Sequence, residues 1–193
     1  MKGRTMRAAI AVAAILLAGC VGGAAYRAEA IFDLNLPATP PVDSASVAGV
    51  DVVAPLWLGG SAMQYRLLYA DPARRFDYSA SRWVAPPDEL VKHALERSLG
   101  ASGSGPCRLR VELAEFAQVF DTPTASRFVL EGRATLIAAQ EALASHGFSV
   151  DQEAPSADAK GGVAAAGAAL QRAERDLATW LTGVGGRCRP GSA

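Results

Sequence analysis

The sequence is poor in the residues from which catalytic and metal centres are built. Its 193 residues include two histidines and three cysteines. No nucleophile elbow, Walker loop, dinucleotide fingerprint or His-Glu-x-x-His helix occurs in it. His93 falls on the polar side of a predicted helix, four residues after Glu89, and His146 precedes Gly147 in a predicted turn. A zinc site would need both to converge with Cys107 and Cys188, and no ligand spacing supports that. We therefore expect no catalytic residue, no metal ligand, no enzymatic activity and no dissociable cofactor. The carboxylate pairs Glu112/Glu115 and Asp88/Glu89 read as surface charge. Excess charge of one sign is also missing, with 19 basic against 19 acidic residues, so there is no electrostatic footprint for a nucleic acid. Nor is there a long hydrophobic run. Ala8 to Ala18 is apolar over eleven residues, where a membrane span needs about twenty. No internal repeat stands out.

What is present begins at that short run. Lys2, Arg4 and Arg7 precede it without an acid, and small residues close it, which together describe a bacterial export signal. The stretch Leu17-Ala18-Gly19-Cys20 resembles the bacterial lipobox. Small side chains at Ala18 and Gly19 admit the peptidase, and the Cys20 thiol accepts a diacylglycerol, followed by an N-acyl chain on the new terminus. The other reading is a buried cysteine in a signal cut after Ala25 or Ala30. The expected organisation is a lipoprotein signal peptide over 1–19, a lipidated Cys20 with a short tether over 20–30, one α/β domain over 31–183 and a Gly-rich tail over 184–193. Stable anchoring takes more than one acyl chain, and three would hold the protein permanently. Val21, rather than Asp, follows Cys20, so the expected location is the periplasmic side of the outer membrane, with the inner membrane as the alternative. Loss of Lys2, Arg4 and Arg7 would leave 16 basic against 19 acidic residues.

Periodicity gives the elements. Ile31–Leu36 alternates and reads as a strand stopped by Pro37; Val47–Ala54 is β-branched and ends at Pro55. Met63, Tyr65, Leu67 and Tyr69 alternate with Gln64, Arg66 and Leu68 in a further strand, as a core face or as an apolar surface for a partner. Residues 71–80 are turn-rich, with a brief pairing at Phe76-Asp77-Tyr78. Pro86-Pro87-Asp88-Glu89 starts a helix to about Leu99. Leu109, Val111 and Leu113 begin a strand toward Phe120, and Phe128 to Ala138 returns as an antiparallel partner. Phe148–Gln152 adds a further short strand. Val163, Ala166, Leu170, Ala173, Leu177 and Leu181 form a helical stripe that Gly183, Gly185 and Gly186 end. The expected fold class is α+β: a two-layer sandwich, a mostly antiparallel sheet with two main helices packed on one face.

Cys107 and Cys188 either remain two thiols or pair. Pairing would staple the C-terminal tail to the sheet and, for a loop of about 80 residues, contribute up to roughly 4.5 kcal/mol. Arg74-Arg75 beside Phe76 and Tyr78 reads as a solvated loop, or else as a contact for lipid headgroups. Trp57, Trp83 and Trp180 read as core or interface anchors.

The string APLWLGGSAMQYRLLY, followed by RRFDYSASRWVAPPDELVKHAL, resembles the ABC-type transport auxiliary lipoprotein family. Pro55, Leu58, Tyr65, Arg66, Tyr78, Trp83 and Pro86 occupy the places of that family's pattern, and GGVAAAGAALQRAERDLATWL resembles its closing helix. Gly59-Gly60 stands where members often carry Asp-Arg. The resemblance implies an α/β sandwich and a non-enzymatic accessory, or docking module, of an ABC transporter complex with mammalian-cell-entry (MCE) domain proteins. Such systems move phospholipid or other hydrophobic molecules between membranes. Tyr65, Arg74, Arg75, Tyr78 and Trp83 are the candidate partner surface. Two other readings are a structural or assembly lipoprotein of the outer membrane without a transporter partner, and a lipid-binding domain.

Overall fold

The computed structural model describes residues 28–37, 47–101 and 105–188. Its strands are β1 (Ala30–Phe32), β2 (Val47–Val53), β3 (Ala62–Leu67), β4 (Asp71–Trp83), β5 (Cys107–Thr122), β6 (Ala125–Ala138) and β7 (Glu141–Glu153). Two helices join them, α1 (Pro87–Ser98) and α2 (Ala159–Val184), with short 3-10 turns at Leu56–Leu58 and Gly185–Cys188. The result is the expected α+β architecture, an open seven-stranded sheet packed with two helices.

The sheet runs β1-β4-β3-β5-β6-β7, and β2 pairs with β5 off that path. Since β6 takes one edge of β5 along its whole length, β2 and β3 must share the other edge, one after the other. Both run parallel to β5, as β1 does to β4, while β3–β4, β5–β6 and β6–β7 are antiparallel. The long ladders are thus antiparallel, and the parallel pairs are short.

α1 rests on β2, α2 rests on β6 and β7, and the helices touch each other. α1 buries Leu90, Val91, Ala94 and Leu95 at helical spacing, with Asp88 and Glu89 in its first turn. α2 is capped by Asp158, whose carboxylate accepts the Gly161 N–H at 2.8 Å. Its buried stripe is rich in Gly and Ala, so the helix lies close to its neighbours. A Cβ at Gly162 would come within 2.2 Å of Gln118 Oε1, and one at Gly167 within 2.8 Å of the Leu34 carbonyl. Under the helices, Trp83, Phe116 and Phe128 pack edge to face, with ring centroids 4.8 to 6.5 Å apart.

Four local expectations are corrected. β1 ends at Phe32, because Leu34 turns into the core and Asn35 adopts φ 47°. Residues 71–80 are not a loop but most of β4, whose outer side β1 pairs only at Ser81–Trp83, so that Pro72 is tolerated next to its start. β7 covers thirteen residues rather than five. α2 continues through Gly183 to Val184 before the chain tightens into the 3-10 turn.

Candidate functional site

β5 sorts its side chains by alternation until a bulge reverses the pattern. Leu109, Val111 and Leu113 point to the helices, and Arg108, Arg110 and Glu112 point away. The register shifts between Leu113 and Glu115. Beyond it, Gln118 reaches the start of α2, donating to the Asp158 carbonyl at 3.2 Å, while Glu115 faces the side turned away from α1 and α2.

On that side Glu115 is held by arginines. Arg75 grips it with Nη1 on Oε1 at 2.8 Å and Nη2 on Oε2 at 2.5 Å, and Arg66 stands at 3.7 Å. Arg66 and Arg75 are cross-strand partners, so β3 and β4 deliver both cations to one carboxylate. Glu115 also accepts the N–H of Phe116, and Arg66 donates to the Pro72 carbonyl. This carboxylate, expected as surface charge, is only 7 % exposed as a residue. Glu112 does remain outward, paired with Arg110 at 3.3 Å. Farther along the same face Arg127 bonds Asp121 and Asp151, and it shares a sheet row with Val119 and Arg66. Ala117, Val119 and Val129 on this side are buried as well.

The opposite side of β3 and β4 carries an aromatic cluster. Tyr65 stacks on Phe76 at 5.2 Å, tilts against Tyr78 at 4.7 Å and meets Phe120 edge-on at 5.7 Å. Tyr78 donates to Gln118 Oε1 at 2.9 Å. Burial first, then the neighbouring Tyr65, pushes its phenol well above the usual range, so it stays a neutral donor. The five candidate partner residues therefore do not form one surface. Tyr65 and Tyr78 are half-buried on the helix side, Arg75 is on the other side, and Arg74 lies over the Phe76 ring at 4.5 Å. Trp83 is withdrawn from any surface at 1 % exposure, because it fills the centre of the core.

Two contacts secure the far end of the domain. Cys107 and Cys188 are joined by a disulfide across 81 residues, with Cα atoms 5.7 Å apart. His146 bonds Asp176 at 2.8 Å and stacks on Trp180, clamping β7 to α2. His93 is exposed on α1 near Glu96. Among the described residues no cluster of His, Cys, Asp and Glu is arranged to hold a metal ion. The lipid-attachment residue Cys20 and the lipobox residues Leu17, Ala18 and Gly19 lie outside the described residues.

Sequence reasoning took Glu115 for surface charge and Trp57 for a core or interface anchor, and so missed the burial of the first and the exposed turn Leu56-Trp57. The turn closes with Leu58 N–H donating to the Pro55 carbonyl at 2.8 Å, and Gln64 donates to the Trp57 carbonyl at 2.7 Å. Leu58 is buried, whereas Leu56 and Trp57 point outward. Two shallow cavities of about 440 and 410 Å³ flank the segment 33–36, the first against α1 and the second against α2. Among the described residues no helix is long and apolar enough to cross a membrane.

No family model and no curated protein matches the chain. Solved structures do. The protein XCC0632 from Xanthomonas campestris, assigned to DUF330, is similar over 81 % of this chain and 97 % of its own, with a TM-score of 0.70 and 20 % identity. An uncharacterised protein aligns over 80 % of this chain and 99 % of its own, with a TM-score of 0.63 and 15 % identity. At these identities the likeness is one of fold.

Proposed function

We propose that this chain is a membrane-anchored periplasmic accessory lipoprotein of an ABC/MCE-type transport system, acting as a docking module. The observation that carries the reading is the interval between Cys20 in its lipobox and Ala30 at the start of β1, ten residues. Ten residues cannot span more than about 36 Å even fully extended, which keeps the domain close to its membrane. An accessory held that way cannot bridge the periplasm, so the remaining distance falls to a partner of the MCE-domain class. The face of β5, β6 and β7 turned away from α1 and α2, with Arg110, Glu112, Arg127 and Asp151, offers that partner alternating charges rather than an apolar patch. Alternating charge favours orientation and selectivity over raw affinity. The outer membrane is the proposed site of the anchor.

Crosslinking in intact cells, with capture through a C-terminal tag and mass spectrometry, tests the reading. Wild type is expected to capture an MCE-domain protein, and Cys20→Ala to lose it. Capture of outer-membrane assembly factors instead, or no difference between the two chains, would refute it.

A further inference from the structure

Among the described residues, the most exposed large apolar side chains lie on β1, just past β4 and on the turn that leads into β3. Leu56 is 98 % exposed, Trp57 57 %, Val84 55 % and Ile31 54 %. Pairing brings them together. Ile31 lies beside Arg82, which lies beside Ala62, and the Trp57 carbonyl is bonded to Gln64 two residues further along β3. Val84 donates its N–H to the Phe32 carbonyl at 2.8 Å. The four side chains thus span β1, the end of β4, the start of β3 and the turn before it.

The turn is built to present its tip. Leu58 is a root at 2 % exposure in the core, and the Pro55–Leu58 and Leu56–Gly59 backbone bonds fix the two residues between. A leucine projected fully into water beside a half-exposed tryptophan is unfavourable for a free domain and favourable at a lipid boundary. Trp settles at headgroup level because its ring is apolar and its N–H is polar. Leu supplies apolar reach beyond it. Chain length keeps a bilayer within reach. Cys20 precedes Ile31 by eleven residues, which cannot span more than about 40 Å even fully extended.

We propose that the Leu56-Trp57 turn, flanked by Ile31 and Val84, inserts into the interface of the phospholipid bilayer that holds the acyl anchor, and so fixes the orientation of the domain. This rests on the lipidation of Cys20. Insertion at two points converts a tethered body that tumbles into one that keeps a constant face to the membrane.

The test uses the full lipidated protein in vesicles of phosphatidylethanolamine and phosphatidylglycerol. Trp180→Phe leaves Trp57 as the reporter, since Trp83 is buried. Trp57 emission is expected to shift to the blue on reconstitution, to be quenched by brominated lipid, and to lose acrylamide accessibility several-fold. Leu56→Asp, at a position that contributes nothing to the core, is expected to abolish all three while the protein still floats with the vesicles and melts as wild type does. An acylated, floating protein whose Trp57 stays as accessible to acrylamide as in Leu56→Asp would overturn insertion alone. Protection that appears only after a protein partner is added would do the same. Mass spectrometry reads Cys20 separately, and an unmodified thiol in a protein that fails to float would overturn the anchored reading as well.

Discussion

Replacing Glu115 by alanine tests whether the arginine clamp stabilises the face turned away from α1 and α2. The Glu115 side chain is 10 % exposed, and those of Arg66 and Arg75 are each 30 % exposed. Exposed ion pairs contribute about 0–1 kcal/mol, because water screens them and ordering two long side chains costs entropy. Breaking a buried pair costs about 3–5 kcal/mol, since the remaining charge loses its partner in a poor solvent. The arginines here keep partial access to water, so the expected loss lies between, at about 2–3 kcal/mol. For a domain of this size that lowers the melting temperature by roughly 4–12 °C. Urea unfolding of wild type, Glu115→Ala, Arg75→Ala and the double variant gives the coupling directly. We expect about 1.5 kcal/mol or more for the pair, whereas additivity within about 0.5 kcal/mol would refute the reasoning. Salt provides the internal control. Raising ionic strength should leave this coupling largely intact, but should weaken the Arg108–Asp51 pair, whose side chains are 56 % and 49 % exposed.

Two further outcomes follow from the ends of the domain. Reducing the Cys107–Cys188 bond, or replacing both residues by serine, should cost up to about 4.5 kcal/mol through the freed loop, read as a lower urea midpoint; an unchanged midpoint under dithiothreitol would contradict it. At the start of α2, the N–H of Gly161, then the hydroxyl of Ser156, hold the Asp158 carboxyl below its ordinary value of 3.8. A depressed folded-state value means that the contribution is complete above the unfolded value and fades as pH falls through the folded one. Asp158→Asn should therefore flatten the acid limb of the stability curve below about pH 4 while keeping most of the cap at neutral pH. An acid limb unchanged from wild type would show that Asp158 does not shape it.

How much of this was legible depended on whether local chemistry and tertiary context agreed. Both helices were, because Pro86-Pro87-Asp88-Glu89 and the stripe from Val163 to Leu181 state their period within one segment. β7 was read short because its hairpin is built from Ala139 and Gln140 at φ 48° and 71°, positions where Gly or Asn would have announced the turn. β4 was read as a loop because Asp71-Pro72 and the paired arginines suggest solvent. Its strand character comes from Phe76 and Tyr78 packing on Tyr65, a contact made across the sheet. Glu115 carried only an indirect signal. Leu109, Val111 and Leu113 hold odd positions whereas the large apolar residues Phe116 and Phe120 hold even ones, and that change of parity marks the bulge between Leu113 and Glu115 that turns Glu115 to the arginines. Nothing within four residues of Glu115 names Arg66 or Arg75 as its partners. The pairing of β3 with β4 does.

The sheet order gives the two proposed surfaces a geometric relation. β1 occupies one edge and β7 the other, five strand spacings apart along β1-β4-β3-β5-β6-β7, and the apolar turn leads into β3, three spacings from β7. At about 4.8 Å per spacing, that is roughly 24 Å from β1 and roughly 14 Å from β3. A domain seated on the bilayer by Leu56 and Trp57 would hold the charged face of β6 and β7 beyond the headgroups, where charges are hydrated and a protein can reach them. A domain held by the acyl chains alone would present that face in every direction and bury it against lipid part of the time, where the charges of Arg127 and Asp151 are costly. A fixed seat therefore raises the fraction of time in which docking can occur without adding a contact to the partner. The effect resembles the gain in effective concentration when a second linkage restricts a tethered module. On this argument the exposed turn acts on the association rate, and its removal should weaken partner capture even though the partner never touches it.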